Sequence, residues 1–313
     1  MRLRSDGLTR HRPTPVGRAA GEPGAYELAL VLSGGGARGF AHVGVLQVVE
    51  ELALPIDLVV GVSMGSIVGA GYAAGFAPAR MSELAASIQV QSVFRPRPGR
   101  LGLVDPAGMR QALDHVFGDT RFEDLERELI VVSSSVTTGQ PVVIREGRVV
   151  DALVASAAIP LIFPPVLREG DHLLDGGLIE ALPIQVTREL GAHRVIAVDA
   201  SSHVKQVFRV PGVRRATRRV ASILRRRKAE LDALHIAARM LHHAAERPPP
   251  PPVEVMIRPS FGLHTGFHYH RAADLVARGH AAADAVRHRL TALGEEARQA
   301  QAAAQRLRPK RRG

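Results

Sequence analysis

Residues 28–39, LALVLSGGGARG, constrain this chain more than any other stretch, because an apolar run ends in glycines and the chain then restarts as a helix. Leu28, Ala29, Leu30, Val31 and Leu32 are continuous apolar residues bounded by a turn signal, the pattern of a buried strand. Gly34, Gly35 and Gly36 follow, and Gly39 closes the cluster. From about Phe40, Val43, Leu46, Val48 and Val49 fill one apolar helical face. A strand that enters a helix through glycines leaves backbone N–H groups open at the helix N-terminus. Such a loop holds an anion, either a ligand phosphate or the negative oxygen of a reaction intermediate.

The same alternation continues along the chain. Leu58, Val59, Val60 and Gly61 predict a second strand, followed by a small-residue helix through Ile67, Val68, Ala70, Ala73 and Ala74. Pro78 opens a helix to about Ile88, and residues 91–104 read as a loop. Asp105 before Pro106 is an N-cap signal for a helix to about Phe117. Strands are expected at 129–132 and 142–145, and a helix at 149–158. Pro160, Pro164 and Pro165 then exclude regular structure. Leu173 and Leu174 lead into an Asp175-Gly176-Gly177 turn. A helix at 182–190 and a strand at 194–199 come next. A long Arg-rich helix at 213–245, a strand at 253–257 and a helix at 271–293 complete the expected elements. Strands alternating with helices predict an α/β fold whose mainly parallel central sheet is covered on both faces. The expected organisation is a disordered leader at 1–24, a domain at 25–293, and an Ala/Gln/Arg tail at 294–313 that is helical or disordered.

GVSMG, formed by Gly61, Val62, Ser63, Met64 and Gly65, stands between a predicted strand and a predicted helix. That is the setting of a nucleophile elbow, a sharp turn that lifts the central hydroxyl above the sheet. A serine hydroxyl needs a base to take its proton. None of the 14 histidines sits in a turn that would present it. Asp175 does, with Gly176 and Gly177 allowing its backbone to come close to the Ser63 turn. Burial would raise its pKa above the ordinary value near 3.9 and make it a better base. Standing alone, it would read as an ordinary Asp-Gly turn. With Ser63 and Asp175 paired, the amides of Gly35, Gly36 and Ala37 or Arg38 become donors to the oxyanion of acyl transfer. The Arg38 side chain either adds positive potential there or pairs with an acid.

Three motifs in this order, SGGGARG from Ser33 to Gly39, GVSMG, and Asp175-Gly176-Gly177, resemble the patatin-like phospholipases. The linking Ser156-Ala157-Ala158-Ile159-Pro160 and Phe163-Pro164-Pro165 also look similar, as does Pro183. The likeness covers about residues 27–293 and is closest to the compact bacterial members. It implies a three-layer α/β/α sandwich and hydrolysis of lipid acyl esters by a serine–aspartate dyad, with neither histidine nor metal. Carried over by position, Ser63 is the nucleophile, Asp175 the proton acceptor, and Gly34, Gly35, Gly36, Ala37, Arg38 and Gly39 the oxyanion loop. No cofactor is implied.

Composition narrows the rivals. The 313 residues carry a formal charge of +11, no cysteine and no tryptophan, which excludes disulfides, thiolate metal sites and a cysteine nucleophile. With aromatics at 4%, base-stacking platforms are lacking, and no nucleic-acid partner is expected. Basic residues cluster at Arg214, Arg215, Arg218, Arg219, Arg225, Arg226, Arg227 and Lys228, and again from Arg306 to Arg312. The first cluster is either a solvated helix face or a peripheral contact with anionic membrane. No segment is apolar enough to span a bilayer and the leader lacks the apolar core of a secretory signal. The expected location is cytoplasmic, with peripheral contact at the inner membrane face.

Three rival functions remain. Gly34, Gly36 and Gly39 satisfy a dinucleotide fingerprint, but Asp57 precedes the second strand instead of ending it. An α/β-hydrolase triad would use a late histidine such as His264 or His268, yet only one strand and helix precede Leu58. A non-catalytic basic protein would bind a membrane or nucleic acid through its arginines and would not need Ser63. His42, His242 and His243 read as structural, and Asp199 as an N-cap.

Overall fold

A computed structural model describes residues 26–96, 104–160, 162–201 and 249–307. The leader, the helix expected at 213–245 with its basic cluster, His242, His243, and Arg308 to Arg312 lie outside the described residues.

In chain order the elements are β1 (Tyr26–Leu32), a 3-10 turn (Gly36–Phe40), α1 (Ala41–Glu51), β2 (Leu58–Val62), α2 (Met64–Ala73) and α3 (Pro78–Ser87). The segment read as a loop holds α4 (Val90–Val93) and a small pair, β3 (Arg95–Pro96) with β4 (Val104–Asp105). Next come α5 (Pro106–Phe117), β5 (Glu128–Ser135), β6 (Pro141–Ile144), α6 (Val149–Ser156), and a hairpin of β7 (Val166–Arg168) and β8 (Asp171–Asp175). They are followed by α7 (Gly177–Glu180), α8 (Ile184–Glu189), β9 (Ala192–Val198), β10 (Val255–Ile257), α9 (Ala272–Asp284) and α10 (Arg287–Leu307).

Eight strands form one sheet in the order β10-β9-β1-β2-β5-β8-β7, with β6 also on β5. β10, β9, β1, β2 and β5 run parallel, while β6, β8 and β7 join antiparallel. The sheet is therefore mixed and mostly parallel, its five parallel strands running from the β10 edge to β5.

β1 alternates its side chains between two apolar layers, as pleating requires. Leu28, Leu30 and Leu32 face a core built with Val43 and Leu46 of α1, Val68 of α2 and Leu275 of α9. Ala29 and Val31 face the other side, with Ile184 and Val186 of α8. Each fully buried Leu or Val contributes roughly 1.5–3 kcal/mol. A strand apolar on both faces has no wet side, which explains why its sequence runs without alternation.

Two expectations shift at the C-terminal end. The single helix expected at 271–293 is two helices, α9 and α10, turning at Ala285 and Val286 with no Pro or Gly between them. α10 also runs straight through position 293: Leu290 and Ala297 are fully buried in the same core as α1. Arg298 donates to the Ala53 carbonyl and Gln301 to that of Pro55, both at 3.0 Å. The first part of the expected tail is thus docked on the domain through Ala297, Arg298 and Gln301.

Candidate active site

β5 assembles the site. Its Val132 pairs with Val62, the last residue of β2, and its next residue, Ser133, pairs with Asp175, the last residue of β8. β6 pairs with β5 from Val131 to Ser134, overlapping both partners, so β2 and β8 must share the opposite edge of β5. β2 runs parallel to β5 and β8 antiparallel, so their carboxyl ends meet head to head. Ser63 follows the one end and Asp175 is the other.

Ser63 has φ 53° and ψ −123°, a region that side-chain-bearing residues rarely occupy. Such strain costs roughly 1–3 kcal/mol and persists only where the surroundings enforce it. Here the enforcement is local and visible. The Ser63 carbonyl accepts from the Ser66 amide at 3.0 Å, the Ile67 amide at 3.2 Å and the Ser66 hydroxyl at 2.6 Å. The Ser63 amide donates to the Ser156 hydroxyl at 2.8 Å, which donates to the Val132 carbonyl at 2.7 Å. α2 also lies so close to β1 that a Cβ on Gly65 would run into the Leu32 and Ser33 carbonyls. The glycine two residues after Ser63 is required by that approach.

The Ser63 hydroxyl stands close enough to the Asp175 carboxylate to pull its pKa down. Asp175 is 7% exposed, its own amide bonds the Ala158 carbonyl at 2.9 Å, and Oδ1 accepts the Gly177 amide at 2.7 Å. Burial pushes its pKa up from 3.8 to about 6, against the pull of the Ser63 hydroxyl and the Gly177 amide. Tyr269 is close enough to Asp175 that the carboxylate adds to the upward shift burial gives its phenol. Tyr269 stands edge-on to Phe40, with ring centroids 5.8 Å apart, and Phe94 packs between Tyr269 and Phe163 at 5.5 and 5.7 Å. One wall of the site is therefore aromatic.

The glycine loop lies against this pair: a Cβ on Gly34 would sit 3.4 Å from the Ser63 Cβ. The loop is pinned at two points, Gly34 N–H to the Ala181 carbonyl at 2.9 Å and Ala37 N–H to the Gly266 carbonyl at 2.8 Å. Those two amides are spoken for, which removes Gly34 and Ala37 from the donors foreseen in the sequence. Arg38 and Gly39 lie inside the 3-10 turn. The amides of Gly35 and Gly36 have no acceptor among the described residues. Gly36 has φ +57°, and a Cβ there would stand 2.5 Å from the Gly266 carbonyl oxygen, so no other residue fits without moving the loop. The Arg38 side chain is buried, its guanidinium 5.7 Å from the Phe261 ring centre. Burial lowers its pKa and Asp199 acts against that. The Arg38 Nε is buried with no hydrogen-bond partner among the described residues.

Other residues singled out in the sequence lie elsewhere. The Asp57 carboxylate accepts the Glu27 and Leu28 amides at 2.9 and 3.1 Å, at the start of β1 and the far end of the strand from the glycines. It is badly placed for a ribose. His264 pairs with Asp274 at 2.6 Å, and the His268 ring takes the Thr265 amide at 3.3 Å. His42 is fully buried with Nε2 2.8 Å from the Ser33 carbonyl, and burial lowers its pKa to about 4. A neutral ring donates there. Asp199 bonds the Ser201 amide and hydroxyl at 2.9 and 2.7 Å, as a residue capping a turn does. A hollow of about 360 Å³ lined by Val142, Ile144, Arg145, Arg168 and Leu173 includes neither Ser63 nor Asp175.

Sequence reasoning passed over Ser156 and Gly266. Ser156 stood inside a quoted motif, but nothing local shows that its hydroxyl reaches an amide 93 residues away. Gly266 acts through a carbonyl, which no side-chain pattern reveals.

A mixed α/β sheet with a serine elbow and a facing carboxylate defines a class of hydrolase-like α/β proteins. Residues 30–188 match the family described as patatin-like phospholipase, about half the chain, and the protein belongs to that family. It is 36% identical over 186 residues to patatin-like phospholipase domain-containing protein 6 of Mus musculus, a stretch that is 56% of this chain and 14% of that protein. It is 33% identical over 187 residues to lysophospholipase nte1 of Aspergillus fumigatus, again 56% of this chain and 12% of that protein. The chain thus matches only a small part of the length of these curated relatives. The solved structure of VipD from Legionella pneumophila matches over 84% of this chain and 66% of its own, at 13% identity and a TM-score of 0.45. Among the described residues, no helix is long and apolar enough to cross a membrane.

Proposed function

We propose that the protein is a lipid acyl hydrolase, cleaving the carboxylic esters of phospholipids or lysophospholipids through an acyl-enzyme on Ser63. The observation that carries this reading is the meeting of the two strand ends that bear Ser63 and Asp175, set by adjacent residues of β5, beside the unengaged amides of Gly35 and Gly36. The lipid substrate class is supported by the family and by the lysophospholipase names of relatives that share this domain.

In the reaction, Ser63 Oγ forms a bond to the ester carbonyl carbon while its proton passes to the Asp175 carboxylate. The carbonyl oxygen, now negative, takes hydrogen bonds from the Gly35 and Gly36 amides; one such donor contributes about 100- to 1000-fold in rate. The ester C–O bond then breaks, and Asp175 returns the proton to the departing alcohol oxygen. Water repeats the sequence on the acyl-enzyme: Asp175 takes its proton, the acid leaves, and Ser63 regains a hydrogen. A carboxylate with a pKa near 6 serves both roles, being mostly ionised at pH 7 yet far more basic than an exposed aspartate.

A fluorophosphonate serine probe, with p-nitrophenyl esters of rising chain length and lysophosphatidylcholine as substrates, tests the reading on wild type, Ser63→Ala and Asp175→Asn. Wild type should label and turn over, and Ser63→Ala should do neither. Equal turnover by Ser63→Ala would discard the assignment. An anionic-membrane role for residues 214–228 is a separate proposal that concerns residues outside those described.

A further inference from the structure

Residues 258–271, RPSFGLHTGFHYHR, join β10 to α9 and contain no carboxylate. The turn is anchored from within. Phe261 is buried beneath Arg38, and the His264 amide closes on the Phe261 carbonyl at 2.9 Å. The Gly266 carbonyl holds the Ala37 amide, Tyr269 packs on Phe40 and Phe94, and the Arg271 amide bonds the His268 carbonyl at 3.0 Å. From this fixed frame two side chains point away from the core: Leu263 is 95% exposed and Phe267 70%. They are the most exposed large hydrophobic residues among those described. Single exposed apolar residues are ordinary on a soluble surface. A pair four residues apart, held out by an anchored turn whose other edge touches the Ser63 site, is a surface with a direction.

The charge around the pair narrows the occupant. Arg258 and Arg271 flank it and are exposed; Arg258 lies 3.9 Å from Asp199, and Arg271 has no ion pair among the described residues. The nearby acids are engaged, Asp274 by His264 and Arg278 at 2.6 and 3.0 Å and Asp199 by Arg258. Two apolar tips flanked by cations therefore suit an interface whose outer layer is anionic and whose next layer is hydrocarbon. We infer that residues 261–271 form the edge through which the protein meets an anionic lipid surface, with Leu263 and Phe267 entering it beside the active site. The inference rests on the lipid acyl hydrolase reading, and it gives that reading a route: the ester is presented at the rim where Gly266 and Tyr269 already stand.

Co-sedimentation tests it, using vesicles of ether-linked phosphatidylcholine and phosphatidylglycerol in equal parts, which an esterase leaves intact. Wild type should bind, and Leu263→Ser/Phe267→Ser should bind about 100-fold more weakly, roughly tenfold for each apolar side chain lost. Hydrolysis of soluble p-nitrophenyl butyrate should be the same in both. The chain has no tryptophan, so Leu263→Trp supplies a single reporter, whose emission should shift to the blue on adding vesicles. Wild type and double variant binding alike, or no binding by wild type, would overturn the inference. So would a change in sedimenting mass of the double variant with vesicle binding unaltered, which would make the turn a contact between copies. Wild type that binds vesicles but cleaves no butyrate would retain the docking edge and discard the hydrolase reading instead.

Discussion

The amide of Ser63 is held by the hydroxyl of Ser156 at 2.8 Å, and through it by the Val132 carbonyl 2.7 Å further on. Ser156 closes α6 and is fully buried, so neither partner has water as a substitute. Like the Ser66 hydroxyl on the Ser63 carbonyl, this hydroxyl is a part of the elbow's support that a point mutation can remove without touching the backbone. Ser156→Ala strands a donor and an acceptor, a cost of about 1–3 kcal/mol for a buried polar group. We expect a melting temperature lowered accordingly and a fluorophosphonate labelling rate reduced by about tenfold to 100-fold, with KM for a soluble ester little changed. Unaltered labelling would mean that the elbow holds its shape without this clasp.

Asp175→Asn should abolish turnover and stabilise the fold at neutral pH. The carboxyl has a folded pKa of about 6 against 3.8, so between those values the folded state binds more protons than the unfolded. Stability therefore falls as pH rises through about 6, by about 3 kcal/mol for a shift of roughly two units. Asparagine carries no such penalty. Thermal melts at pH 8 on wild type and variant measure it; a destabilised variant would contradict the burial argument.

His42 acts with the opposite sign. Its folded pKa of about 4 lies below the ordinary 6.5, so its contribution is complete above about pH 6.5 and is lost as pH falls toward 4. Over roughly pH 4–6 the two residues oppose each other and wild-type stability should change little on their account. Asp175→Asn leaves His42 unopposed, and the variant should lose stability steeply across that window. Urea midpoints read at pH 4.5, 5.5 and 6.5 reveal the difference in slope.

Because Asp175 must be ionised to accept a proton, kcat/KM on a soluble ester should fall on the acid side with an apparent pKa near 6. A limb near 4 would mean that the carboxylate is solvated during turnover.

Gly36→Ala should remove activity while leaving the fold intact. The residue has φ +57° and stands against the Gly266 carbonyl, so an added methyl must displace the loop that carries the two unengaged amides. The expected loss is about 100- to 1000-fold in kcat, the range for an oxyanion donor. Circular dichroism at wild-type level beside the lost turnover separates this from misfolding.

The parts of this molecule that could be read from its sequence share a physical property: their signal is local. The run from Leu28 to Leu32 must be buried on both faces, and the GVSMG turn needs small residues beside it whatever the rest of the chain does. Asp105 and Pro106 announce α5, and Asp105 does accept the Ala107 amide at 3.0 Å. What stayed hidden depends on distant partners. The β7–β8 hairpin falls after a proline-rich stretch and takes its place by pairing with β5. The turn between α9 and α10 has no breaker residue and follows from where Leu290 finds its core. In the glycine loop, the resemblance marks Gly34 to Gly39 as the oxyanion loop, while tertiary bonds to Ala181 and Gly266 decide which amides remain open.

Val132 and Ser133, adjacent on β5, set the separation of Ser63 and Asp175 by pairing with the two strand ends that carry them. A ruler two residues long governs a pair that is more than a hundred residues apart along the chain. Lengthening or shortening the connections outside β5 should leave the distance untouched. Deleting one residue within β5 would move one end by about 3.3 Å and turn its side chains to the wrong face. Natural variation in the intervening helices and hairpin is therefore cheap for this architecture, and indels in a single inner strand are forbidden to it.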